Sequence, residues 1–157
     1  MSNIIPNGDF ETGDFSFWTL RVFQGKADVV NHNRSFQARV QPGVDNGVLL
    51  FNKFDAPPGP CDMTFIASAP TAQNFKPPFN YATHPFLAYF VEAYDANGLW
   101  LSMDIGLAQL QPTETLFRYS GTMPAGTAKV EVRFSGPSDP DGSKGPLYID
   151  HVTYTPR

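Results

Sequence analysis

Paired cysteines, helical periodicity and long apolar runs are all missing from this sequence. A single cysteine, Cys61, excludes an internal disulfide, and no cluster of Cys and His spaced for zinc is present. No apolar run approaches the length of a membrane span, so no membrane-spanning segment is predicted. A disulfide scaffold, a zinc domain and a helical membrane protein are therefore not expected.

Positive charge is also scarce. The chain has 11 Lys and Arg against 15 Asp and Glu, for a net charge of -4. Without a basic stripe to displace phosphate counterions, no nucleic-acid partner is predicted. The first residues, MSN, lack the charged and apolar regions of a secretory signal. We therefore expect a cytoplasmic protein, one released by a route that needs no signal, or an excised module of a larger protein.

Short alternating segments separated by turns are abundant. Thirteen Gly and fifteen Pro punctuate the chain, and aromatic residues make up 14% of it. Residues 36–40 and 128–134 alternate apolar with polar, and a turn signal at residues 95–98 predicts a hairpin. We predict one domain over residues 1–157, all-β, with roughly nine to eleven short strands in a two-sheet sandwich. Candidate strands are residues 26–30, 36–40, 48–54, 62–67, 86–95, 99–105, 115–121, 128–134 and 147–155.

The two ends of the chain carry the most specific motifs. Residues 3–11 read NIIPNGDFE and residues 148–152 read YIDHV, so each end joins β-forming residues to an isolated carboxylate. Such ends suit neighbouring strands at one edge of a β-sandwich, with Glu11 and Asp150 converging on one cation.

These terminal motifs resemble the jelly-roll carbohydrate-binding modules of the xylan- and glucan-binding type, which share the galactose-binding-like sandwich. Residues 35–40 (SFQARV) look like the third-strand pattern of that family, and residues 60–65 (PCDMTF) match a turn followed by a strand. The spacing agrees over nearly the whole chain except residues 68–85. That Pro-rich stretch is predicted to be a long loop, functional or mobile.

The resemblance implies a structural calcium ion. Carried over by position, Glu11 and Asp150 would supply side-chain oxygens, and backbone carbonyls would come from near Gly8 and from the turn ending at Ser35. Calcium takes six to eight hard oxygen ligands, which carboxylates and carbonyls provide. The ion would hold both termini on the sheet.

The resemblance also implies a sugar site made of aromatic platforms and polar partners in a cleft. The candidate aromatic residues are Trp100, Tyr94, Tyr89 and Tyr119, together with Phe75, Phe79 and Tyr81 on the long loop. The candidate polar partners are Arg39, Gln37 and Glu92. Trp18 is predicted to pack in the core. On the strand of residues 86–95, Leu87, Tyr89, Val91 and Ala93 are predicted to face the core and Tyr94 to face outward with Glu92.

The predicted function is therefore non-catalytic, lectin-like binding of an oligosaccharide or polysaccharide. Catalysis is not expected, because the carboxylate pairs Asp104 with Glu92 and Asp139 with Asp141 suit solvated strands and a turn. Weak single-site affinity favours a homo-oligomer or a place in a larger particle. The alternative is a jelly-roll assembly or host-targeting protein without a sugar site, such as a phage tail protein, an adhesin or a toxin-like protein.

Overall fold

The computed structural model describes residues 2–44 and 48–157. Within these ranges the chain forms β-strands joined by turns and loops, and no helix occurs among them. The strands are β1 Thr19–Val22, β2 Gly25–His32, β3 Ser35–Pro42, β4 Val48–Asp55, β5 Gly59–Ser68, β6 Phe86–Tyr94, β7 Trp100–Gln109, β8 Thr115–Met123, β9 Lys129–Ser135 and β10 Leu147–Pro156.

The strands form two antiparallel sheets. The first sheet has the order β1-β4-β9-β6-β7, and the second has the order β2-β3-β10-β5-β8. Chain neighbours such as β4 and β5 lie in different sheets, so the connections cross between the layers, as they do in Greek-key sandwiches. The predicted all-β, two-sheet architecture is confirmed.

Strict alternation decides which side chains fill the space between the sheets. In β9, Val130, Val132 and Phe134 are fully buried, whereas Glu131 and Arg133 are only partly covered. Because successive side chains of a strand point to opposite faces, one apolar set enters the core while the other set forms the outer surface. The predicted inward positions of β9 and of β6 are confirmed.

Two tight turns owe their shape to left-handed backbone positions. Asn33 and Arg34 connect β2 to β3 with φ of 52° and 70°. Positive φ at both central residues is the requirement of a two-residue type I′ hairpin, whose twist matches that of the strands. In the β6–β7 turn, Gly98 has a φ of 83°, and the Asp95 carboxylate accepts a hydrogen bond from the Asn97 backbone N–H at 2.8 Å.

The prediction that the two ends form neighbouring strands at a sheet edge is wrong in two respects. Residues 2–18 form turns rather than a strand, and β10 lies in the middle of its sheet, between β3 and β5. The pairing of β3 with β10 ends at Ile149. Beyond that point the N-terminal segment contacts β10 through isolated hydrogen bonds, such as Ile4 N–H to the Tyr154 carbonyl at 2.9 Å. The ends meet, but without a continuous ladder.

The long loop between β5 and β6 is anchored by polar side chains. His84 accepts a hydrogen bond from the Asn80 backbone N–H at its Nδ1 (3.1 Å), which leaves Nε2 to donate to the Lys76 carbonyl at 2.6 Å. The buried Lys144 ammonium donates to the Ser138 carbonyl at 2.5 Å and to that of Tyr81 at 3.4 Å. These bonds satisfy two polar side chains that are costly to bury unpaired.

Candidate functional site

The outer face of the first sheet carries aromatic and charged side chains in register. Arg133 on β9 lies directly between Phe51 on β4 and Phe90 on β6. One step along the strands, Lys53 lies opposite Glu131, and Glu131 opposite Glu92. Side chains opposite each other on neighbouring strands are about 5 Å apart at Cβ, so these residues form one continuous surface.

Arg133 is the centre of this surface. Its Nη2 donates to the Glu92 carboxylate at 2.6 Å and lies 3.5 Å from that of Glu131. Its guanidinium carbon lies 5.2 Å from the Phe90 ring centroid. The Arg133 Nε is buried and has no hydrogen-bond partner among the described residues. Buried donors without a partner are rare, so an acceptor from outside the chain, a water or a ligand oxygen, is expected here.

A shallow cavity of about 260 Å³ opens beside Arg133. Its walls are Arg21, Leu49, Phe51, Glu131 and Arg133, from three adjacent strands. The Arg21 guanidinium lies 6.0 Å from the Phe51 ring centroid. An aromatic ring with hydrogen-bond donors and acceptors at its rim suits a ligand that has both apolar faces and hydroxyl groups.

Burial raises the pKa values of two titratable groups on this face, Glu131 and Tyr94. Desolvation raises the pKa of Glu131, partly offset by the charge of Arg133. Burial, followed by the hydrogen bond that Tyr94 donates to Glu92, raises the pKa of Tyr94 to about 12. The Lys53 ammonium lies 3.7 Å from the Tyr94 ring centroid, in cation–π contact. Tyr94 is therefore neutral at ordinary pH, held by an ammonium against its ring and a carboxylate at its hydroxyl.

Two of the predicted sugar-binding residues lie at the end of this same face. Tyr94 and Trp100 are cross-strand partners on β6 and β7. Trp100 is 57% exposed, which leaves its ring free for contact with a ligand. As predicted, Tyr94 faces outward with Glu92, although Glu92 itself is only 5% exposed.

Tyr89 and Tyr119 lie elsewhere. Both rings pack against the core between the sheets, with centroids 6.4 Å apart, and the Tyr119 hydroxyl donates to Asp104. Gly106 on β7 makes room for Tyr89, since a Cβ there would lie 2.0 Å from the tyrosine ring. These tyrosines therefore pack between the sheets and do not share the outer face with Trp100.

Arg39 is on the second sheet, far from these aromatic residues. It lies opposite Asp28 on β2 and Tyr148 on β10, and it forms an ion pair with Asp28 at 2.5 Å. These five predicted sugar-binding residues therefore occupy three separate places and do not form one cleft.

The sequence reasoning did not identify Phe51, Phe90, Glu131 and Arg133 as site residues, nor Arg21. The alternation of β9 already placed Glu131 and Arg133 outward. Their neighbours could not be read from it, because β4, β9 and β6 are adjacent in space but far apart in the chain.

The carboxylate pairs considered for catalysis are not brought together. Asp104 is opposite Val91 and faces the interior side of the first sheet, whereas Glu92 faces the outside. Asp139 accepts a hydrogen bond from the Lys144 backbone N–H at 3.2 Å, and Asp141 accepts one from Ser143 at 3.0 Å. The last two therefore order a turn.

The predicted calcium ligands lie near one another at the end of the second sheet. The Ser35 hydroxyl donates to the Asp150 carboxylate at 2.9 Å, and the Phe36 backbone N–H donates to Glu11 at 3.3 Å. The Gly8 carbonyl accepts a hydrogen bond from Val152 at 2.8 Å. A Cβ on Gly8 would lie 1.9 Å from the Val152 carbonyl oxygen, so only glycine permits this close approach.

The chemistry of this cluster fits a hard cation. Asp150 is 1% exposed, and desolvation raises its pKa, with the charge of Glu11 adding to the effect. No Lys or Arg among the described residues pairs with Asp150; the His151 ring lies 3.4 Å away. Nor do the described residues hold a cluster of three His, Cys, Asp or Glu side chains suited to a metal. A cation here would therefore depend on two carboxylates supplemented by hydroxyl and backbone oxygens, which calcium accepts.

Strand β10 is irregular next to this cluster of calcium-ligand candidates. The pairing of β10 with β5 shifts register between Asp150 and Thr153, and His151 has a φ of 49°. Bulges of this kind redirect side chains and interrupt the ladder. The bulge places a carboxylate and irregular backbone next to the N-terminal segment.

Solved structures share this fold. The chain superposes on a family 61 carbohydrate-binding module in complex with β-1,4-galactotriose with a TM-score of 0.65 at 15% identity, covering 100% of both chains. For the CBM22-1 xylan-binding domain of Paenibacillus barcinonensis Xyn10C the TM-score is 0.64 at 13% identity, covering 99% of this chain and 92% of that one. The fold is the jelly-roll β-sandwich of carbohydrate-binding modules.

A third similar structure is the enzymatically active domain of tailspike protein 4 of bacteriophage CBA120. It has a TM-score of 0.73 at 18% identity, and the match covers 98% of this chain but 21% of that one. Further carbohydrate-binding modules, of families 16 and 4, have the same fold at 15% and 16% identity, with TM-scores of 0.63 and 0.58.

No protein-family model and no curated protein matches the sequence. Among the described residues, no helix has the length and apolar character needed to cross a membrane.

Proposed function

We propose that this chain is a non-catalytic carbohydrate-binding domain whose ligand lies on the outer face of the first sheet. The observation that carries the proposal is the row of Phe51, Arg133 and Phe90 across β4, β9 and β6, with a cavity beside it. The two rings offer apolar faces to the C–H surfaces of a sugar, and the charged groups between them offer hydrogen bonds to hydroxyls. The shared fold and the galactotriose complex of one similar structure support this reading.

The contacts of the two carboxylates beside this row support binding without catalysis. Glu92 accepts hydrogen bonds from Arg133 and from Tyr94, and the Arg133 guanidinium also lies close to Glu131. A general acid or nucleophile would need a carboxylate free to reach the glycosidic bond. Glu92 and Glu131, the two carboxylates nearest the aromatic row, are instead engaged in positioning Arg133.

A glycan array of the purified protein in calcium-containing buffer tests the proposal. We expect binding to a related set of glycans, and a loss of about 10-fold for Phe90→Ala, equivalent to about 1.4 kcal/mol of ring contact. Leu116→Ala is the matched control, because Leu116 is an exposed apolar residue on the second sheet. An array without binding for the folded protein, or equal losses for both variants, contradicts the proposal.

We further propose that calcium stabilises the domain at the cluster of Glu11, Ser35 and Asp150, with the Gly8 carbonyl close by. The buried Asp150 carboxylate without a Lys or Arg partner in the described part of the chain supports this proposal. The ion would compensate a buried negative charge and hold the N-terminal segment against β10. Its contribution is to stability, since the outer face of the first sheet belongs to the opposite layer.

A further inference from the structure

The outer face of the first sheet is more positive than the rest of the protein. Around the cavity, Arg21, Lys53 and Arg133 oppose two carboxylates, Glu92 and Glu131, which leaves an excess of one positive charge. The whole chain carries a net charge of -4. The proposed sugar site is thus a locally cationic surface on an acidic protein.

Two of these three cations form no close ion pair within the described residues, although the charge of Lys53 acts on the Glu131 carboxylate opposite it. Both carboxylates are close to Arg133, at 2.6 Å and 3.5 Å. Among residues 2–44 and 48–157, no acidic side chain forms an ion pair with Arg21 or Lys53. Their recorded contacts are with rings, Phe51 for Arg21 and Tyr94 for Lys53. The charge of Arg21 is therefore available to a ligand, and that of Lys53 is only partly offset by Glu131.

Arg21 and Lys53 lie on either side of the Phe51 ring, in the direction of β4. Arg21 on β1 lies opposite Leu49 on β4. Lys53 is four residues after Leu49 on β4, and Phe51 is midway between them. At about 3.3 Å per residue the two positions are about 13 Å apart along the strand. A ligand that stacks on Phe51 would lie between a guanidinium at one side and an ammonium at the other.

We propose that this site takes an acidic glycan, a polysaccharide that carries carboxylates such as those of uronic acids, with Arg21 as the main carboxylate contact and Lys53 as the second. The inference rests on the proposed sugar-binding function and names its substrate class. The planar guanidinium of Arg21 matches a carboxylate with two parallel hydrogen bonds, and the cavity beside it gives that carboxylate access. An excess of a single positive charge suits one carboxylate per sugar better than the higher charge density of a sulfated polymer.

The test is a titration calorimetry comparison of oligogalacturonate, oligomannuronate and oligoglucuronate with their carboxyl-reduced forms, which keep the backbone and lose the charge. We expect at least one acid to bind about 10-fold more tightly than its reduced form, with the preference shrinking as salt is raised. Arg21→Gln should remove most of that preference, because the affinity for the acid should fall much further than the affinity for the reduced form. Arg118→Gln is the matched control, because Arg118 is exposed on the second sheet.

The outcomes separate this inference from the proposed function. Equal binding of acidic and reduced forms, a preference unaffected by Arg21→Gln, or binding confined to sulfated glycans would each overturn the acidic-glycan inference while the sugar-binding proposal stands. Failure of the folded protein to bind any glycan, charged or neutral, would overturn both.

Discussion

The Arg133 guanidinium and the Glu92 carboxylate form a 2.6 Å ion pair in the middle of the first sheet, where Glu92 is almost fully buried. Removing one partner of such a pair leaves an uncompensated charge away from water. We expect Arg133→Met to lower the free energy of unfolding by about 2–3 kcal/mol, below the range of about 3–5 kcal/mol for fully buried pairs, because Arg133 keeps some exposure. Urea denaturation at neutral pH measures this loss.

A double-mutant cycle tests the pairing itself. Adding Glu92→Gln to Arg133→Met removes the unpaired charge, so the double variant should recover part of the stability lost in Arg133→Met alone. Purely additive losses would show that the two side chains act independently. Lys129→Met is a suitable control, because its ion pair with Asp55 is exposed to solvent and contributes little.

Trp100 is the most exposed aromatic residue at the end of the proposed site. Because most of its ring is in solvent, Trp100→Ala should change the thermal midpoint little while weakening glycan binding by about 10-fold, through the loss of stacking. Calorimetric titration with the best array ligand and a thermal melt of the same sample measure both effects. A variant that unfolds would place the ring in the core, and one that binds as wild type would place the ligand elsewhere.

The calcium proposal predicts a stability that responds to chelator. At a calcium concentration about 100 times its dissociation constant, the bound ion adds about 2.7 kcal/mol, which raises the melting temperature by roughly 5–10 °C for a domain of this size. Glu11→Gln and Asp150→Asn should each remove this increment, and the double variant should lose no more than either. Differential scanning calorimetry with calcium or with EGTA measures it.

Asp55→Asn serves as the control for this series, because its side chain is exposed and lies in the other sheet from Ser35 and Asp150. It should keep the full response to calcium. A melting temperature that is the same in calcium and in chelator for the wild-type protein would refute the proposal.

Tyr94 should weaken the fold in alkaline solution. Its pKa is raised from an ordinary value of 10.0 to about 12 in the folded protein, so the folded state keeps a proton that the unfolded chain releases. The contribution of a raised pKa is complete below the unfolded value and is lost as pH rises through the folded one, here between about pH 10 and 12.

The comparison with Tyr94→Phe isolates this residue from Tyr119 and Tyr154, whose pKa values burial also raises. Tyr94→Phe should lose less stability than wild type over that pH interval in parallel urea titrations. Identical alkaline slopes in the two proteins would show that Tyr94 does not titrate as described.

Much of the fold could be predicted from local sequence. Alternation in β9 reports which residues are buried, because a strand between two environments must separate its apolar and polar sets. The turn at Asp95 and Gly98 is equally local, since it depends on a side-chain oxygen and a residue free to take positive φ. The terminal motifs pointed to the jelly roll, yet the position of β10 within its sheet was wrong. Sheet order depends on long-range pairing, which no local pattern records.

The candidate site could likewise be predicted only in part, because its residues come together through long-range pairing. The family resemblance implied aromatic platforms and a set of calcium ligands, and Glu11, Ser35 and Asp150 do lie close together. Trp100 and Tyr94 share the outer face of the first sheet, whereas Tyr89, Tyr119 and Arg39 lie elsewhere. One step of register moves a side chain to the opposite face, so a list of candidate residues is not yet a site.

By itself, the sequence determined that this chain forms short strands with one buried and one exposed face. The alternation of apolar and polar residues within each segment is enough to decide which face is buried. Only the tertiary structure decided that Phe51, Arg133 and Phe90 form one row, because β4, β9 and β6 become neighbours through hydrogen bonds between segments far apart in the chain. The same packing left Arg21 beside the Phe51 ring without a carboxylate partner in the described part of the chain. Contacts of this kind arise from the arrangement of the layers, which no single segment encodes.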